Sequence, residues 1–510
     1  MLVSVLVGSI LLLGQGALGE LFALDGQGNP VSWWFVLKLP WQTRNAKGEY
    51  IDTPCDCPRP DCSNVNVEIQ DERKFGLCYL YADANNSTLR YFRDVGFDCL
   101  GQGGNDPVSQ TLRAGKNATY WAYFNDQYNG IAEKQDKKRT CSADDGFNAH
   151  AKGAVAFEAD TGGFILQTST PNFPDPTIAS SDEQDDFVRL GCQHDNNVEY
   201  SQHLFAMSVG SDGIDLVGNA WHSARLCSAN HYDDMVEMLA SPALRQNKEH
   251  AVADALVNAE AVEKPSINVT FTTKGSRKVS ISAVVKNKQS EVPPWAMVAS
   301  AFESDLSVAS WWDEGYGIPT LCDGDKYDST PHNFCLTNNP IALRQDGTFP
   351  YNVENLMEAS LTLPSKSKLS WSLRGGRVRD GNHGKWALAT PRHGQSSGLS
   401  IFGDMNMEGY PCSKTCSGSQ GGRGGSFYGI QDADLHKSLV ELITDVCKCS
   451  PTESSTDTFV QFRMCSHGCI HKIESFFTPE ELPLVSNSSS SFWGHRCPIR
   501  HVIYDEVASA

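Results

Sequence analysis

The chain has 510 residues and a formal net charge of −19, from 42 Lys or Arg and 61 Asp or Glu. That charge has the wrong sign for a protein that binds nucleic acid at neutral pH through charge alone. Beyond the N-terminus no apolar stretch is long enough to span a bilayer, which excludes a membrane-spanning helix there.

Residues 1–19 have the features of a signal peptide. Their apolar run is about as long as a signal-peptide core and too short for a membrane span. Ala17, Leu18 and Gly19 offer small residues for cleavage after Gly19, although a basic start is missing. The segment therefore predicts entry into the secretory pathway, with a lysosomal or extracellular destination.

Cysteine usage agrees with an oxidising compartment. The chain contains 17 Cys, which in a secretory protein indicates disulfides. The cluster Cys55, Cys57 and Cys62 has no nearby His and favours a disulfide-stapled loop over a metal site. Because 17 is odd, one thiol is left free or pairs between chains, which leaves a homodimer open. N-linked glycans are predicted at the sequons of Asn85 or Asn86, Asn117, Asn268 and Asn487.

The first half of the folded chain is predicted to cover residues 20–232. Runs rich in apolar and β-branched residues, bounded by Gly, Asn, Asp and Pro, predict strands. These runs are VSWWFVLKL, GLCYLY, TYWAYF, GAVAF and GGFILQT.

The second half is predicted to cover residues 233–430. It opens with a helix predicted from Asp233 to Val262, in a segment rich in Ala, Leu and Glu that Pro242 starts or breaks. Strands are predicted at INVTFTT, KVSISAVV, LSWSLRG, KWALAT and GLSIFG. Strands interleaved with helices indicate the α/β class.

Residues 431–510 are predicted to form a cysteine-rich C-terminal extension. An amphipathic helix is expected from Asp434 to Cys447, and five cysteines make this part disulfide-dense: Cys447, Cys449, Cys465, Cys469 and Cys497.

Two His-x-Lys triplets carry the chemistry. The first is His150-Ala151-Lys152 and the second is His383-Gly384-Lys385, about half a chain apart. On a strand, side chains at i and i+2 point to the same face, so an imidazole and an ammonium can converge on one anion. Two such pairs offer a nucleophile, a general acid and two cations around one phosphate, with no metal or cofactor required. One triplet alone would be a chance match.

The sequence around the triplets resembles the deoxyribonuclease II family, distant kin of the phospholipase D superfamily. Several blocks match in order, and the resemblance thins out between about Asp233 and Ser310 and ends near Tyr428. The blocks are GNPVSWWFVLKLP (Gly28–Pro40), KFGLCYLYAD (Lys74–Asp83), YWAYFNDQ (Tyr120–Gln127), AHAKGAVAFEADTGGFILQTSTPNFPDP (Ala149–Pro176), DGNHGKWALAT (Asp380–Thr390), GDMNM (Gly403–Met407) and GGRGGSFY (Gly421–Tyr428).

The resemblance implies a fold and an activity. The fold would be two phospholipase D-like α/β halves with mixed sheets flanked by helices, related by a pseudo-twofold axis. The activity would be metal-independent endonucleolytic cleavage of DNA at acidic pH, leaving 3′-phosphate and 5′-hydroxyl ends. Protonation of all 14 His would move the net charge from −19 to −5, which would let the protein tolerate DNA in acid.

Further residues are candidates for contacts to the substrate. Asn125 and Asp126 end a predicted strand, and Asp404 and Asn406 follow another, where either pair could line the cleft or fill a structural role. The family often has His before Ser169, but this chain has Thr168, which puts one auxiliary contact in doubt. Arg423 is a candidate contact to the DNA backbone.

Two alternatives compete with the nuclease. A secreted, disulfide-rich binding protein that has lost catalysis would share the fold, but both triplets are intact. A lipid hydrolase of the phospholipase D type would use similar triplets, but the neighbouring blocks resemble the nucleases more closely.

Overall fold

The computed structural model describes most of the chain up to Cys449. The described residues are 20–58, 76–128, 149–175, 188–191, 199–232, 235–258, 266–287, 293–310, 321–324, 344–363, 365–374, 378–392, 398–406 and 423–449. The predicted signal peptide, Cys62, the sequon at Asn487 and the extension beyond Cys449 lie outside these residues.

Twenty strands and seven α-helices lie in the described residues. The strands are β1 (Ala23–Leu24), β2 (Pro30–Val31), β3 (Trp33–Lys38), β4 (Gln42–Arg44), β5 (Tyr50–Asp52), β6 (Tyr79–Asp83), β7 (Asn86–Tyr91), β8 (Tyr120–Asn125), β9 (Lys152–Glu158), β10 (Gly162–Thr168), β11 (Gln202–Val209), β12 (Ile267–Thr272), β13 (Ser280–Lys286), β14 (Ser304–Ala309), β15 (Val353–Thr362), β16 (Lys368–Ser372), β17 (Trp386–Pro391), β18 (Leu399–Gly403), β19 (Gly425–Gln431) and β20 (Ile443–Cys447). The α-helices are α1 (Pro107–Lys116), α2 (Ser211–Ala224), α3 (Val236–Leu239), α4 (Pro242–Gln246), α5 (Ala251–Ala253), α6 (Pro294–Ala301) and α7 (Ala433–Leu442). A 3-10 turn spans Phe92–Val95, and a π-helical turn spans Asp254–Asn258.

Two large sheets give the molecule a mixed α/β architecture with few helices. The first has seven strands in the order β7-β6-β3-β11-β10-β9-β8. The second has eleven, in the order β12-β13-β19-β18-β17-β14-β15-β16-β4-β5, with β20 beside β15. All ten strands predicted from the sequence are present. Strands β4 and β5, from the N-terminal part of the chain, join the second sheet.

The largest hydrophobic cluster of the described residues contains side chains of both sheets. All residues of β3, β10 and β11 are buried, and so are all residues of β9 except the last. Such burial is expected of strands that are covered on both faces. Phe402 of the second sheet stacks on Phe35 of the first, with ring centroids 4.3 Å apart, and lies 4.7 Å from Phe205. These contacts join β18 of the second sheet to β3 and β11 of the first.

The helical segment predicted from Asp233 to Val262 is present, in its described residues, as several short helices. The described part of this segment contains α3, α4, α5 and the π-helical turn. Pro242 is the first residue of α4, after the N-cap Ser241 whose side chain accepts the N–H of Leu244. A Pro cannot donate an intrahelical hydrogen bond, so it starts a helix where a longer one would have to continue.

The predicted helix from Asp434 to Cys447 is confirmed only in its first part. Helix α7 ends at Leu442, and residues Ile443–Cys447 form β20, which pairs with β15 of the second sheet. A disulfide between Cys322 and Cys449 fixes the end of this strand. The chain therefore remains part of the second sheet well beyond residue 431.

The cysteines near the N-terminus form disulfides. Among the described residues, the sulfurs of Cys55, Cys57 and Cys78 are the only group with the spacing of a metal site. All three sulfurs are in disulfides, because Cys55 bonds to Cys78 and Cys57 bonds to Cys99. The described sequon residues Asn85, Asn86, Asn117 and Asn268 are all exposed. In the part of the chain that the structure covers, no helix has the length and hydropathy needed to cross a bilayer.

Candidate active site

The first triplet lies at the entrance of β9, with His150 and Ala151 preceding the strand and Lys152 opening it. The backbone N–H of His150 donates to the carbonyl of Gly424, at the entrance of β19 in the other sheet, over 2.9 Å. The imidazole Nδ1 lies 2.6 Å from the carbonyl oxygen of Asp404. Because a carbonyl oxygen only accepts, Nδ1 of the neutral ring carries the proton and Nε2 keeps a free lone pair.

Asp126 links Lys152 to a cation from the second sheet. One of its carboxylate oxygens accepts from Lys152 Nζ, and the other accepts from Arg423 over 2.7 Å. Arg423 also donates to the carbonyl oxygen of Ala149, beside His150. Burial opposes ionisation of Asp126, but the charges of Lys152 and Arg423 outweigh it and hold its pKa well below the usual range.

Asp404 is the second buried carboxyl of the site. It accepts from Gln167 Nε2 at 2.9 Å, and from the hydroxyl and backbone N–H of Ser426 at 2.6 and 3.1 Å. Burial raises its pKa to about 7, although these hydrogen bonds and the charge of Lys152 favour the ionised form. The side-chain bonds fix the backbone carbonyl that orients His150.

The second triplet lies at the entrance of β17, which begins one residue after Lys385. The backbone N–H of His383 donates to the carbonyl of Ser201, at the entrance of β11 in the first sheet, over 2.7 Å. Its ring stacks on Tyr200 with centroids 4.4 Å apart and planes 5° apart. Lys385 Nζ donates to the carbonyl of His383 at 2.5 Å, and Lys385 N–H donates to Nδ1 of His203 at 3.1 Å.

Each lysine acts on the imidazole of the other triplet. Burial lowers the pKa of His150 well below its ordinary value, and among the charges that lower it further are Lys152 and Lys385. Burial likewise lowers the pKa of His383, and Lys385, Lys38 and Lys152 add to the effect. The two triplets, separated by more than 200 residues of sequence, therefore form one electrostatic unit at the junction of the sheets.

The other predicted site residues divide into two groups. Asp126 and Asp404 contact the triplets directly, as described above. Asn125 is buried and its side chain binds the backbone of Phe173 and Gln127, which is a structural pattern. Ser169 bonds to Gln202 and His203, and Asn406 is buried two residues beyond Asp404. Contacts of Asn125, Ser169 and Asn406 to a substrate stay predictions.

Four residues of the site carried no sequence signal. Gln167 and Ser426 hold Asp404, while Tyr200 and His203 contact the second triplet. None belongs to a chemical motif. Each reaches the site only because β10 pairs with β11 in the first sheet, and β19 with β18 in the second, in a particular register. The local sequence around Tyr200 and His203 gave no reason to separate them from ordinary strand residues.

Comparisons with known proteins agree with this architecture. The family model described as "Deoxyribonuclease II" matches residues 65–449, well over half of the chain and beyond Tyr428, where the resemblance was expected to end. Plancitoxin-1 of Acanthaster planci is 22% identical over 439 residues, covering 84% of this chain and 92% of the relative. Cell-death-related nuclease 7 of Caenorhabditis elegans is 22% identical over 438 residues, covering 85% and 95% respectively.

Proposed function

Because the chain belongs to the deoxyribonuclease II family, we propose that it is an acid endonuclease that hydrolyses DNA phosphodiesters without a metal. The products would be 3′-phosphate and 5′-hydroxyl ends. The observation that carries the proposal is that one short segment contacts both triplets: the carbonyl oxygen of Asp404 lies 2.6 Å from His150 Nδ1, and the N–H of the preceding residue, Gly403, donates to the carbonyl of Lys385 over 2.9 Å. One phosphate placed between the triplets would meet two imidazoles and two ammonium groups.

Two phospholipase D-like halves related by a pseudo-twofold axis would explain the arrangement. In support, β9 lies between β8 and β10 in the first sheet as β17 lies between β14 and β18 in the second, and all four pairings are antiparallel. The hydrogen bonds across the junction are reciprocal as well. His150 donates to Gly424 of the second sheet, and His383 donates to Ser201 of the first.

In this proposal His150 is the nucleophile, and its tautomer supports the choice. With its proton on Nδ1, facing the Asp404 carbonyl, the lone pair of Nε2 is available to attack phosphorus. Burial and the charges of Lys152, Arg423 and Lys385 lower the pKa of this ring and outweigh Asp126, which raises it, so the neutral form is favoured. A bond forms between His150 and phosphorus, the bond from phosphorus to the 5′-oxygen breaks, and the 3′-phosphoryl group stays on His150.

His383 then serves as the general acid and base. It gives its proton to the departing 5′-oxygen, and in the second step it takes a proton from the water that attacks the phosphohistidine. That attack breaks the bond between nitrogen and phosphorus and leaves the phosphate on the 3′ end. Lys152 and Lys385 stabilise the charge that develops on the non-bridging oxygens.

Acidic pH is needed because His383 starts with a lowered pKa. Burial and three neighbouring lysines disfavour its protonated form in the free protein. A bound phosphodiester brings a negative charge that favours the protonated ring. Even then, protons must be abundant for a large fraction of complexes to carry the acid form, which fits a secretory protein working in a lysosome or an acidic extracellular space. The proposal also includes N-linked glycans on the protein and its association as a homodimer.

Nicking of a supercoiled plasmid at pH 5 in excess chelator tests the function. We expect the wild type to nick and linearise the plasmid, and His150→Ala and His383→Ala to lose at least roughly a hundredfold in rate. His436→Ala is the matched control, because this ring lies on α7 and bonds to the carbonyl of Leu399. Full activity of either triplet variant would refute the proposal.

The same assay separates the alternatives. An inert wild type that still binds DNA would identify a binding protein that has lost catalysis. Cleavage of phosphatidylcholine without nicking would identify a lipid hydrolase.

A further inference from the structure

One short segment of the first sheet contacts the second triplet at three points. Tyr200 stacks on the ring of His383, the carbonyl of Ser201 accepts the His383 N–H, and Nδ1 of His203 accepts the Lys385 N–H. This segment, residues 200–203, leads into β11 and lies far from the triplet in sequence. Its contacts reach both functional residues of the triplet.

The stack on Tyr200 has a geometry that suits a charged imidazole. The rings are nearly parallel at 4.4 Å, so His383 lies over the face of the phenol ring, where the quadrupole is negative. Among the charged groups that act on His383, Lys385, Lys38 and Lys152 disfavour its protonated form. The aromatic face therefore offers the ring an attraction that opposes the surrounding cations.

His203 holds the backbone of Lys385 as a neutral ring. Its Nδ1 accepts the Lys385 N–H, so the proton of the neutral ring sits on Nε2. His203 is fully buried, and its Nε2 has no hydrogen-bond partner within the part of the chain that the structure describes. A buried donor without a partner costs roughly 1–3 kcal/mol, so packing alone would favour an apolar residue at this position.

The equivalent segment behind the first triplet is built differently. There the carbonyl of Gly424 accepts the His150 N–H, as that of Ser201 accepts the His383 N–H, but the preceding residue is Arg423 instead of Tyr200. Ser426, two residues after Gly424, takes the position that His203 takes after Ser201. The guanidinium beside the first histidine is paired with Asp126, whereas the second histidine has beside it an aromatic face, which attracts a protonated ring.

We infer that Tyr200 and His203 are positioning residues that hold the second triplet for proton delivery to the leaving oxygen. The inference rests on the proposed function, because it assigns them to the acid step of that reaction. Tyr200 supports the protonated His383 ring at the moment its proton passes to the 5′-oxygen, and His203 fixes Lys385 beside it. Neither residue needs to touch the substrate.

A change of leaving group isolates this step. A 4-nitrophenyl ester of thymidine 3′-phosphate releases an anion that needs no proton, whereas plasmid cleavage releases an alkoxide that does. Tyr200→Leu is expected to lower kcat on plasmid roughly tenfold to hundredfold and to change kcat on the ester less than about threefold. Tyr200→Phe keeps the aromatic face and should recover most of the plasmid activity.

His203 is tested by a matched pair of variants. In His203→Asn the side-chain oxygen lies close to the position of Nδ1 and can still accept the Lys385 N–H, while His203→Leu cannot. We expect selective loss of plasmid cleavage in His203→Leu and recovery in His203→Asn. The ratio of the two kcat values does not depend on the fraction of folded protein, so it remains decisive for a destabilised variant.

The outcomes separate this inference from the function on which it rests. Equal losses on both substrates, or no loss on plasmid in Tyr200→Leu and His203→Leu, would overturn the positioning role while leaving the nuclease intact. His150→Ala should be inactive on both substrates, since the ester still needs the nucleophile. A wild type that cleaves neither substrate, or a fully active His150→Ala, would overturn the proposed function itself.

Discussion

Asp126 shows how a single buried carboxylate organises the first triplet. It follows β8, while its partners Lys152 and Arg423 open β9 and precede β19. All three side chains are largely shielded from water, so none of the charges is well solvated. A buried charge without a partner is strongly destabilising, which makes the carboxylate essential to both cations.

Replacing Asp126 with Asn should therefore lower stability and activity together. We expect Asp126→Asn to lower the free energy of unfolding by about 3–5 kcal/mol, because two buried cations lose their counter-charge. Urea denaturation at pH 7 measures the change. Glu237→Gln is the control, since this side chain is 87% exposed and lies 3.9 Å from Arg245, and should shift stability by no more than about 0.5 kcal/mol.

The sign of the pH dependence follows from the depressed pKa of Asp126. An unfolded Asp titrates near pH 3.9, so the contribution of this group is present above about pH 4 and is lost only as the pH falls through the folded pKa. The difference between wild type and Asp126→Asn should thus be as large at pH 5 as at pH 7. A difference that vanishes by pH 5 would contradict the ion pairs.

At the scale of elements, local pattern predicted strands well and helices poorly. The ten strands could be predicted because apolar runs and turn residues are short-range features of the sequence. Helix α2 escaped prediction because Gly213 and Gly218 lower helix propensity. Packing explains Gly218, since a Cβ there would lie 2.9 Å from the backbone nitrogen of Val252 in α5. That contact joins elements more than thirty residues apart, so a local sequence pattern cannot predict it.

The candidate site was predictable to the extent that it rests on motifs. The triplets and the carboxyl groups Asp126 and Asp404 follow from residue type and position at strand ends. Tyr200 and His203 reach the site through the junction of the two sheets, and only the strand register decides which side chains of β11 lie there. A shift of one residue would turn His203 to the opposite face of its sheet.

Helix α7 tests whether the chain beyond residue 431 belongs to the core. Leu439 is fully buried and its neighbour Val440 is 46% exposed, so the two provide a matched pair on one helix. Leu439→Ala should lower the free energy of unfolding by about 2–5 kcal/mol, and Val440→Ala by less than about 0.5 kcal/mol. Thermal and urea unfolding measure both. Similar small effects would mean that α7 is an appendage and not part of the core.

For the molecule as a whole, net charge limits how DNA can be bound. Protonation of all 14 His was expected to bring the charge from −19 to −5. However, burial lowers the pKa of His150, His203, His250, His383 and His436. If these five stay neutral, the remaining nine bring the charge only to −10, so histidines alone cannot remove the repulsion. The 61 acidic residues must supply the rest.

DNA affinity should therefore rise at a pH set by carboxyl groups. Asp and Glu titrate near pH 4 and His near pH 6.5, and the affinity for DNA depends strongly on the charge the protein presents to the phosphates. For the uncleaving His383→Ala variant at fixed ionic strength, we expect at least roughly tenfold tighter binding at pH 4.5 than at pH 7.5, with most of the change below about pH 5.5.

Fluorescence anisotropy of a labelled duplex gives the binding curve, and His150→Ala should reproduce it if the groups that titrate lie outside the triplets. A midpoint near pH 6.5 would instead assign the change to the less buried histidines. Equal affinity from pH 4.5 to 7.5 would show that overall charge does not control binding, and that the acid requirement belongs to the chemical step at His383 alone.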